Sequence, residues 1–187
     1  MKKIITVIIA ILVNTVNYAS AGALIECTYT ANDPMAELQS YRDCAQVISG
    51  KLAILPEHLK KIHFGPDGLA TIRVSEQIYY IKPNGDLLPV ITYDNWADTF
   101  SEGLTRSRVN GKVAFFNADF RQVIPPKYDW AWPFEVGRAL VCNVCSAALP
   151  DIDGHTSISG GRWGYINQQG GEVVPVKFSK EEVLKQK

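Results

Sequence analysis

Short apolar runs separated by turn residues set the pattern over most of the chain. Ile78-Tyr79-Tyr80-Ile81 and Leu87-Leu88-Pro89-Val90 flank Pro83-Asn84-Gly85-Asp86, and the runs 104–109 and 112–116 flank Asn110-Gly111. Asn-Gly readily takes the positive φ angles of a type I′ turn, so both sites predict β-hairpins. Upstream the period changes. Asp33-Pro34 has the form of an N-cap followed by proline at the first helical position, and Leu38, Tyr41, Ala45 and Ile48 then share one helical face. That spacing predicts a helix between Pro34 and Ile48. Ser179 and Glu182 have capping-box spacing, which predicts a short helical tail.

The apolar runs repeat. Ile78-Tyr79-Tyr80-Ile81-Lys82, Val113-Ala114-Phe115-Phe116-Asn117 and Trp163-Gly164-Tyr165-Ile166-Asn167 align on a period near 35, the last displaced by an insertion at 147–161. Each is followed by an apolar-Pro stretch: Leu87-Leu88-Pro89-Val90, Val123-Ile124-Pro125-Pro126 and Val173-Val174-Pro175-Val176. Tyr93-Asp94 and Tyr128-Asp129 come next, with Phe178 at the truncated third place. Phe100-Ser101-Glu102-Gly103-Leu104 then matches Phe134-Glu135-Val136-Gly137-Arg138. A weaker half-copy precedes them at Leu55-Pro56, Phe64 and Gly68-Leu69-Ala70. A fixed period of this length marks a repeat architecture. Proline cannot donate to a β-ladder, so the recurring prolines belong at strand ends, bulges or exposed edges. No copy could bury a core alone, so neighbours must stack. The fold class expected is mainly β: about three tandem antiparallel β-hairpin repeats with a short N-terminal helical segment.

Arg162-Trp163-Gly164-Tyr165-Ile166-Asn167, the Val173-Val174-Pro175 that follows, and the Tyr-Asp…Phe…Glu-Gly-Leu pattern at 93–104 resemble the bacterial WG repeat, a β-hairpin repeat. The resemblance covers roughly residues 55–178; only the third copy has the Trp-Gly dipeptide, and the first two carry Ile78-Tyr79 and Val113-Ala114 there. It implies repeated hairpins, often in exported or surface proteins, and no established catalytic residues. The organisation expected is a signal peptide at 1–21, an N-terminal extension with one helix at 22–54, WG-type repeats at 55–178 and a tail at 179–187.

The signal peptide rests on Lys2-Lys3, an apolar core from Ile4 to Val13, and small residues at Ala19-Ser20-Ala21. The core is too short to span a bilayer, and cleavage after Ala21 sends the chain to a bacterial periplasm or the medium. Glu26 before Cys27 argues against lipid attachment. The mature chain has no further apolar run long enough for a membrane span. Lys+Arg and Asp+Glu are both 19, without the basic excess that nucleic-acid binding asks for.

Export changes how Cys27, Cys44, Cys142 and Cys145 read, because in an oxidising compartment an even count points to disulfides. Four cysteines allow three connectivities, and local spacing favours Cys27–Cys44 and Cys142–Cys145. Cys142-Asn143-Val144-Cys145 also has the spacing of a redox motif or half a zinc site. Asp153 and His155 are the nearest further ligands; His58 and His63 are five apart and read as surface residues.

There is no phosphate loop, paired-His zinc motif or nucleophile elbow, and no cofactor is implied. Asp94 and Asp129 occupy equivalent repeat positions, which suits turn hydrogen bonds better than acid–base work. Ser157 and Ser159 near His155 and Asp153 are explained by the composition of the insertion. The aromatic residues Trp96, Trp130, Trp132, Phe100 and Phe134 cluster after each Tyr-Asp. They either build the core between repeats or line a strip for a sugar, a peptide or a partner protein. Trp130 and Trp132 flank Ala131, so an extended backbone turns both to one side. The leading function is an exported, non-enzymatic interaction module binding a protein or glycan partner through Trp96, Trp130 and Trp132. The alternative is a periplasmic thiol-active or metal-binding factor using Cys142 and Cys145.

Overall fold

The computed structural model describes residues 22–186 apart from 34, 94, 150, 151 and 153–155. The export signal, Asp94, Asp153 and His155 therefore lie outside the described residues. The strands are β1 (Ile25–Thr30), β2 (Leu38–Ile48), β3 (Lys51–Ile54), β4 (Ala70–Val74), β5 (Gln77–Ile81), β6 (Leu87–Pro89), β7 (Thr92–Tyr93) and β8 (Trp96–Ala97). They continue with β9 (Thr105–Val109), β10 (Lys112–Phe116), β11 (Gln122–Tyr128), β12 (Trp130–Ala131), β13 (Arg138–Ala147), β14 (Ile158–Asn167) and β15 (Glu172–Phe178). The helices are α1 (Pro56–Leu59) and α2 (Lys180–Leu184). The protein is thus mainly β, built of antiparallel hairpins.

The sheets follow the chain. One has the order β3-β2-β1-β4-β5-β6, the next β11-β10-β9, and the last β12-β13-β14-β15, with β7-β8 a small ribbon. At Asn110-Gly111, φ values of +50° and +79° make the two-residue turn that joins Val109 to Lys112. The hairpin at Asn84-Gly85 closes differently. Five residues lie between Ile81 and Leu87, Gly85 donates to the Lys82 carbonyl, and only Gly85 has positive φ. Pro83 at the second turn position, with its φ already set, favours this wider loop over a two-residue turn. The same loop closes the other copies: Asn117 and Arg121 repeat the Lys82–Asp86 backbone pair, and so do Asn167 and Gly171.

The segment 34–48 corrects the helix expected there. Leu38–Ile48 is strand β2, paired with β1 on one side and β3 on the other. Tyr41 stacks on Tyr29 with ring centroids 4.4 Å apart, and a disulfide joins Cys44 to Cys27. These cross-strand contacts outweigh a weak helical spacing. Asp33 accepts from Met35 N in an Asx turn rather than capping a helix. Ser49 and Gly50, with φ +50° and +77°, turn the chain back into β3. The short helix is α1, with Pro56 in its first turn.

The second strands explain the Trp-Gly dipeptide. In β14–β15 the register shifts between the pairs Trp163↔Phe178 and Tyr165↔Val174, so β15 bulges opposite Gly164. A Cβ on Gly164 would lie 2.5 Å from the Val174 carbonyl oxygen and 2.8 Å from the Pro175 carbonyl group. Glycine is what allows the two backbones this approach. Trp163 is fully buried and donates from Nε1 to the Gly160 carbonyl at 2.6 Å. The β10–β11 pair repeats the bulge between Val113↔Tyr128 and Phe115↔Ile124, with Ala114 in glycine's place. Pro125, Pro126 and Pro175 sit in these bulges, where no ladder donor is required.

Candidate functional site

Successive hairpins are joined by a repeated set of contacts. At the first junction Arg73 donates to the Asn95 carbonyl at 3.1 Å and lies over the Trp96 ring at 5.3 Å. Tyr80 meets Phe100 with centroids 4.9 Å apart. At the second junction Arg108 donates to the Asp129 carbonyl at 3.2 Å and lies over Trp130 at 5.3 Å. Phe115 meets Phe134, again at 4.9 Å. An arginine stacked on an indole and an aromatic pair therefore close each hairpin onto the segment that follows it.

The second junction also has a buried polar latch. The side chains of Arg106 and Asp98 are 1% and 2% exposed, and the guanidinium donates to both carboxylate oxygens, at 2.6 and 2.9 Å. Arg106 Nη1 crosses to the Ala131 carbonyl at 2.6 Å. The carboxylate also accepts from Arg106 N, so both charges are hydrogen-bonded where burial would otherwise be costly. At the surface Glu102, on its own tight turn, accepts from Gly137 N on the next, at 3.0 and 3.1 Å.

Beyond β13–β14 the pattern stops. Ser179 starts α2: its Oγ accepts from Glu182 N while the Glu182 carboxylate accepts from Ser179 N. Val183 is buried against Trp163 and Cys142, and Lys180 lies 5.0 Å over Trp163 and 5.7 Å over Trp132. Next to this cap lies an open groove of about 660 Å³, lined by Trp132–Val136, by Arg138 and Leu140 of β13, by Tyr165 of β14 and by Leu184 of α2. By the repeat alignment Trp132, Leu140 and Val136 stand where Asp98, Arg106 and Glu102 form the latch. The equivalent surface is covered at one hairpin and forms an open groove of mixed polarity at the next, with Glu135 and Arg138 beside its apolar side chains.

The structure separates the three predicted tryptophans. Trp132 lines the groove, half-buried. Trp130 meets it edge to face, at 5.2 Å and 85°, so the two do share a side. Trp130 itself packs against two core clusters between Arg106 and Arg108, and its Nε1 is buried without a partner among the described residues. Trp96 lies in the first half of the molecule and donates from Nε1 to Thr71 Oγ1 at 3.1 Å. Arg106 and Asp98 escaped attention in the sequence, although two charges aligned with Leu140 and Trp132 were the signal.

The carboxylates near the junctions are structural. Asp129 accepts from Lys112 at 2.6 Å and from Val144 N at 2.7 Å, and Lys112 above all holds its carboxyl below the usual range. Lys127 does the same for Glu172. Tyr80 is pushed up to about 12, first by burial and then by Asp98 and Asp67. A disulfide joins Cys142 and Cys145 within β13, and Cys142 is fully buried. Val144 between them is 83% exposed and has φ +58°. His58 is half-buried under Tyr29, whose hydroxyl lies 2.9 Å from its Nδ1. No group of three or more metal-ligating side chains occurs among the described residues.

Hairpins stacked by a recurring junction and ended by a capping helix define a β-hairpin repeat protein. The model of the WG containing repeat family matches residues 115–143 and 163–180. No curated protein and no solved structure matches the chain. Two disulfides fit an extracellular or periplasmic protein. No helix among the described residues is long and apolar enough to cross a membrane.

Proposed function

We propose that the protein is an exported, non-enzymatic β-repeat module that holds a protein or glycan partner at the end of its hairpin stack. The observation that carries this reading is the groove beside α2: its place in the repeat is covered one hairpin earlier, and here Val136 at its rim is 86% exposed. A β-branched residue at φ +54° is an outlier, and such strain concentrates where a surface is used. Trp132 is the contact residue the geometry favours, because it is the one of the three tryptophans that lines the groove. The thiol-active or metal-binding alternative draws less support. Its cysteines lie within a strand rather than at a helix N-terminus, where a thiolate would be stabilised.

The test compares Trp132→Ala, Trp130→Ala and Trp96→Ala by thermal melting and by capture of partners from periplasmic extract. Trp132→Ala should lose the captured partner while still melting cooperatively, at some cost in stability from its packing on Trp130 and the Trp163–Val183 cluster, and the other two should lower the melting temperature. Unchanged capture by Trp132→Ala sinks the reading. N-terminal sequencing of the periplasmic protein should begin at Gly22, or at Leu24 if the Ala21-Gly22-Ala23 site is used.

A further inference from the structure

The arginines that this protein folds inward have acceptors, with one exception. Arg73 donates to the Asn95 carbonyl, and Arg106 donates to the Asp98 carboxylate and the Ala131 carbonyl. Arg138 is half-buried like Arg73, yet no group among the described residues accepts a hydrogen bond from its guanidinium. It packs over the Tyr165 ring at 4.8 Å and lines the groove beside α2. Packing does not demand the charge, because Leu104 stands at the same place one copy earlier, buried in the core. Glu135 lines the same groove, is exposed, and forms no ion pair with Arg138. Two opposite charges thus border one opening, each without a hydrogen-bonding partner among the described residues, beside the apolar side chains of Trp132 and Leu184. Lys180, 5.7 Å over Trp132, donates to the Ile158 carbonyl and adds positive charge on that flank.

We propose that this groove binds an acidic glycan: Arg138 takes the carboxylate of a sugar, Glu135 accepts from a neighbouring hydroxyl, and the C–H groups of the ring pack against Trp132 and Leu184. The inference rests on the reading of the protein as an interaction module and names the class of its partner. Arg138 selects the carboxylate, because the fork of a guanidinium matches both carboxylate oxygens and a neutral sugar leaves its charge unanswered. Glu135 selects a sugar over an acidic peptide. A carboxylate side chain can only accept, so the hydroxyls that surround a sugar's acid group satisfy it, whereas a run of peptide carboxylates repels it. Apolar walls with a few polar groups that fix orientation are the makeup of a small-ligand site, and the groove's volume of about 660 Å³ is of that order. Discrimination comes from the pair of charges: each rejects a ligand that answers only the other.

The experiment uses the full mature chain and fluorescein-labelled tetrasaccharides that carry galacturonate, glucuronate or N-acetylmuramate, read by fluorescence anisotropy. Saturable binding of at least one is expected, weakened at least tenfold when its carboxylates are reduced to primary alcohols. Arg138→Gln should weaken it as much, and Glu135→Ala at least threefold. Arg162→Gln, at an exposed arginine of β14 outside the groove, should bind like the parent. Carboxyl reduction needs no variant, so it decides the matter even if Arg138→Gln unfolds. Binding of none of the three sugars overturns the proposal, and so does equal binding of the reduced sugar or tighter binding by Glu135→Ala. An equal loss in Arg162→Gln reveals diffuse charge attraction and also overturns it. A labelled peptide of alternating tryptophan and aspartate that binds more tightly than every sugar, and depends on Arg138, makes the partner a protein and overturns the glycan. If the sugars fail while Trp132→Ala still abolishes capture from periplasmic extract, the glycan is wrong and the interaction module stands. If both fail, both fall.

Discussion

The hairpins β9–β10 and β13–β14 share a plan, yet they end in opposite ways. The first buries Asp98 and Arg106 as an ion pair that reaches the Ala131 carbonyl, and its Glu102 holds the turn of its neighbour. The second has Trp132, Leu140 and Val136 at the same places and faces an open groove. A polar latch suits a permanent internal junction: folding supplies every partner once, and the pair rejects a wrong register because any slip leaves buried charge unmatched. A groove end without buried charges makes no such demand. The difference separates a buried polar junction from an open groove.

The sharpest way to break that contrast is to remove one half of the latch. Asp98→Ala should cost about 3–5 kcal/mol, read by urea unfolding, because it leaves the Arg106 charge buried without its carboxylate. Converting both to leucine, in the manner of the second hairpin, should restore most of that loss. A single substitution costing under about 1 kcal/mol would show that the latch does not hold the junction.

A smaller effect separates the second strands. Gly164→Ala should destabilise by about 1–3 kcal/mol, because the new methyl meets the rigid backbone of Val174 and Pro175. Ala114→Gly, at the same place in β10, should cost about 1–2 kcal/mol, from chain entropy and the loss of a fully buried methyl. If Gly164→Ala is neutral in thermal melting, the bulge does not depend on glycine.

The pH dependence is the smallest effect. Asp129 and Glu172 have lowered pKa values, so each contributes stability that is present above the usual carboxylate range and is lost as the pH falls below about 4. Both pairs are partly exposed, so the loss should be slight and should shrink in salt. Tyr80 is raised to about 12, so its contribution is complete below pH 10 and fades as the pH climbs to 12. Tyr29 is also raised to about 12, so late-titrating tyrosinate absorbance should fall in Tyr80→Phe without disappearing; an unchanged late titration would mean that the first junction is open to water.

Sequence periodicity reached much of this architecture. Asn110-Gly111 carries its own turn geometry, and the recurring prolines and Trp-Gly dipeptide mark bulges that local sterics impose. The segment 34–48 shows where such reading stops. Leu38, Tyr41, Ala45 and Ile48 can satisfy a helical face on paper, but Tyr29 and Cys27 on a neighbouring strand draw them into β2. Ser49-Gly50 was the local clue, a turn pair like Asn110-Gly111.

The groove was less accessible still. Trp132 stood out as an aromatic after Tyr128-Asp129, but nothing in its neighbourhood distinguished it from Trp130. By itself the sequence determined the hairpins, their period, the turn glycines and the spacing that favours the two cysteine pairings, because each depends on residues close together along the chain. Tertiary structure alone decided that Trp132 borders the groove while Trp130 packs between Arg106 and Arg108, and that Asp98 and Arg106 meet in the core. Those outcomes depend on contacts between residues far apart along the chain, and burial is set by the neighbours that arrive there, which no local pattern encodes.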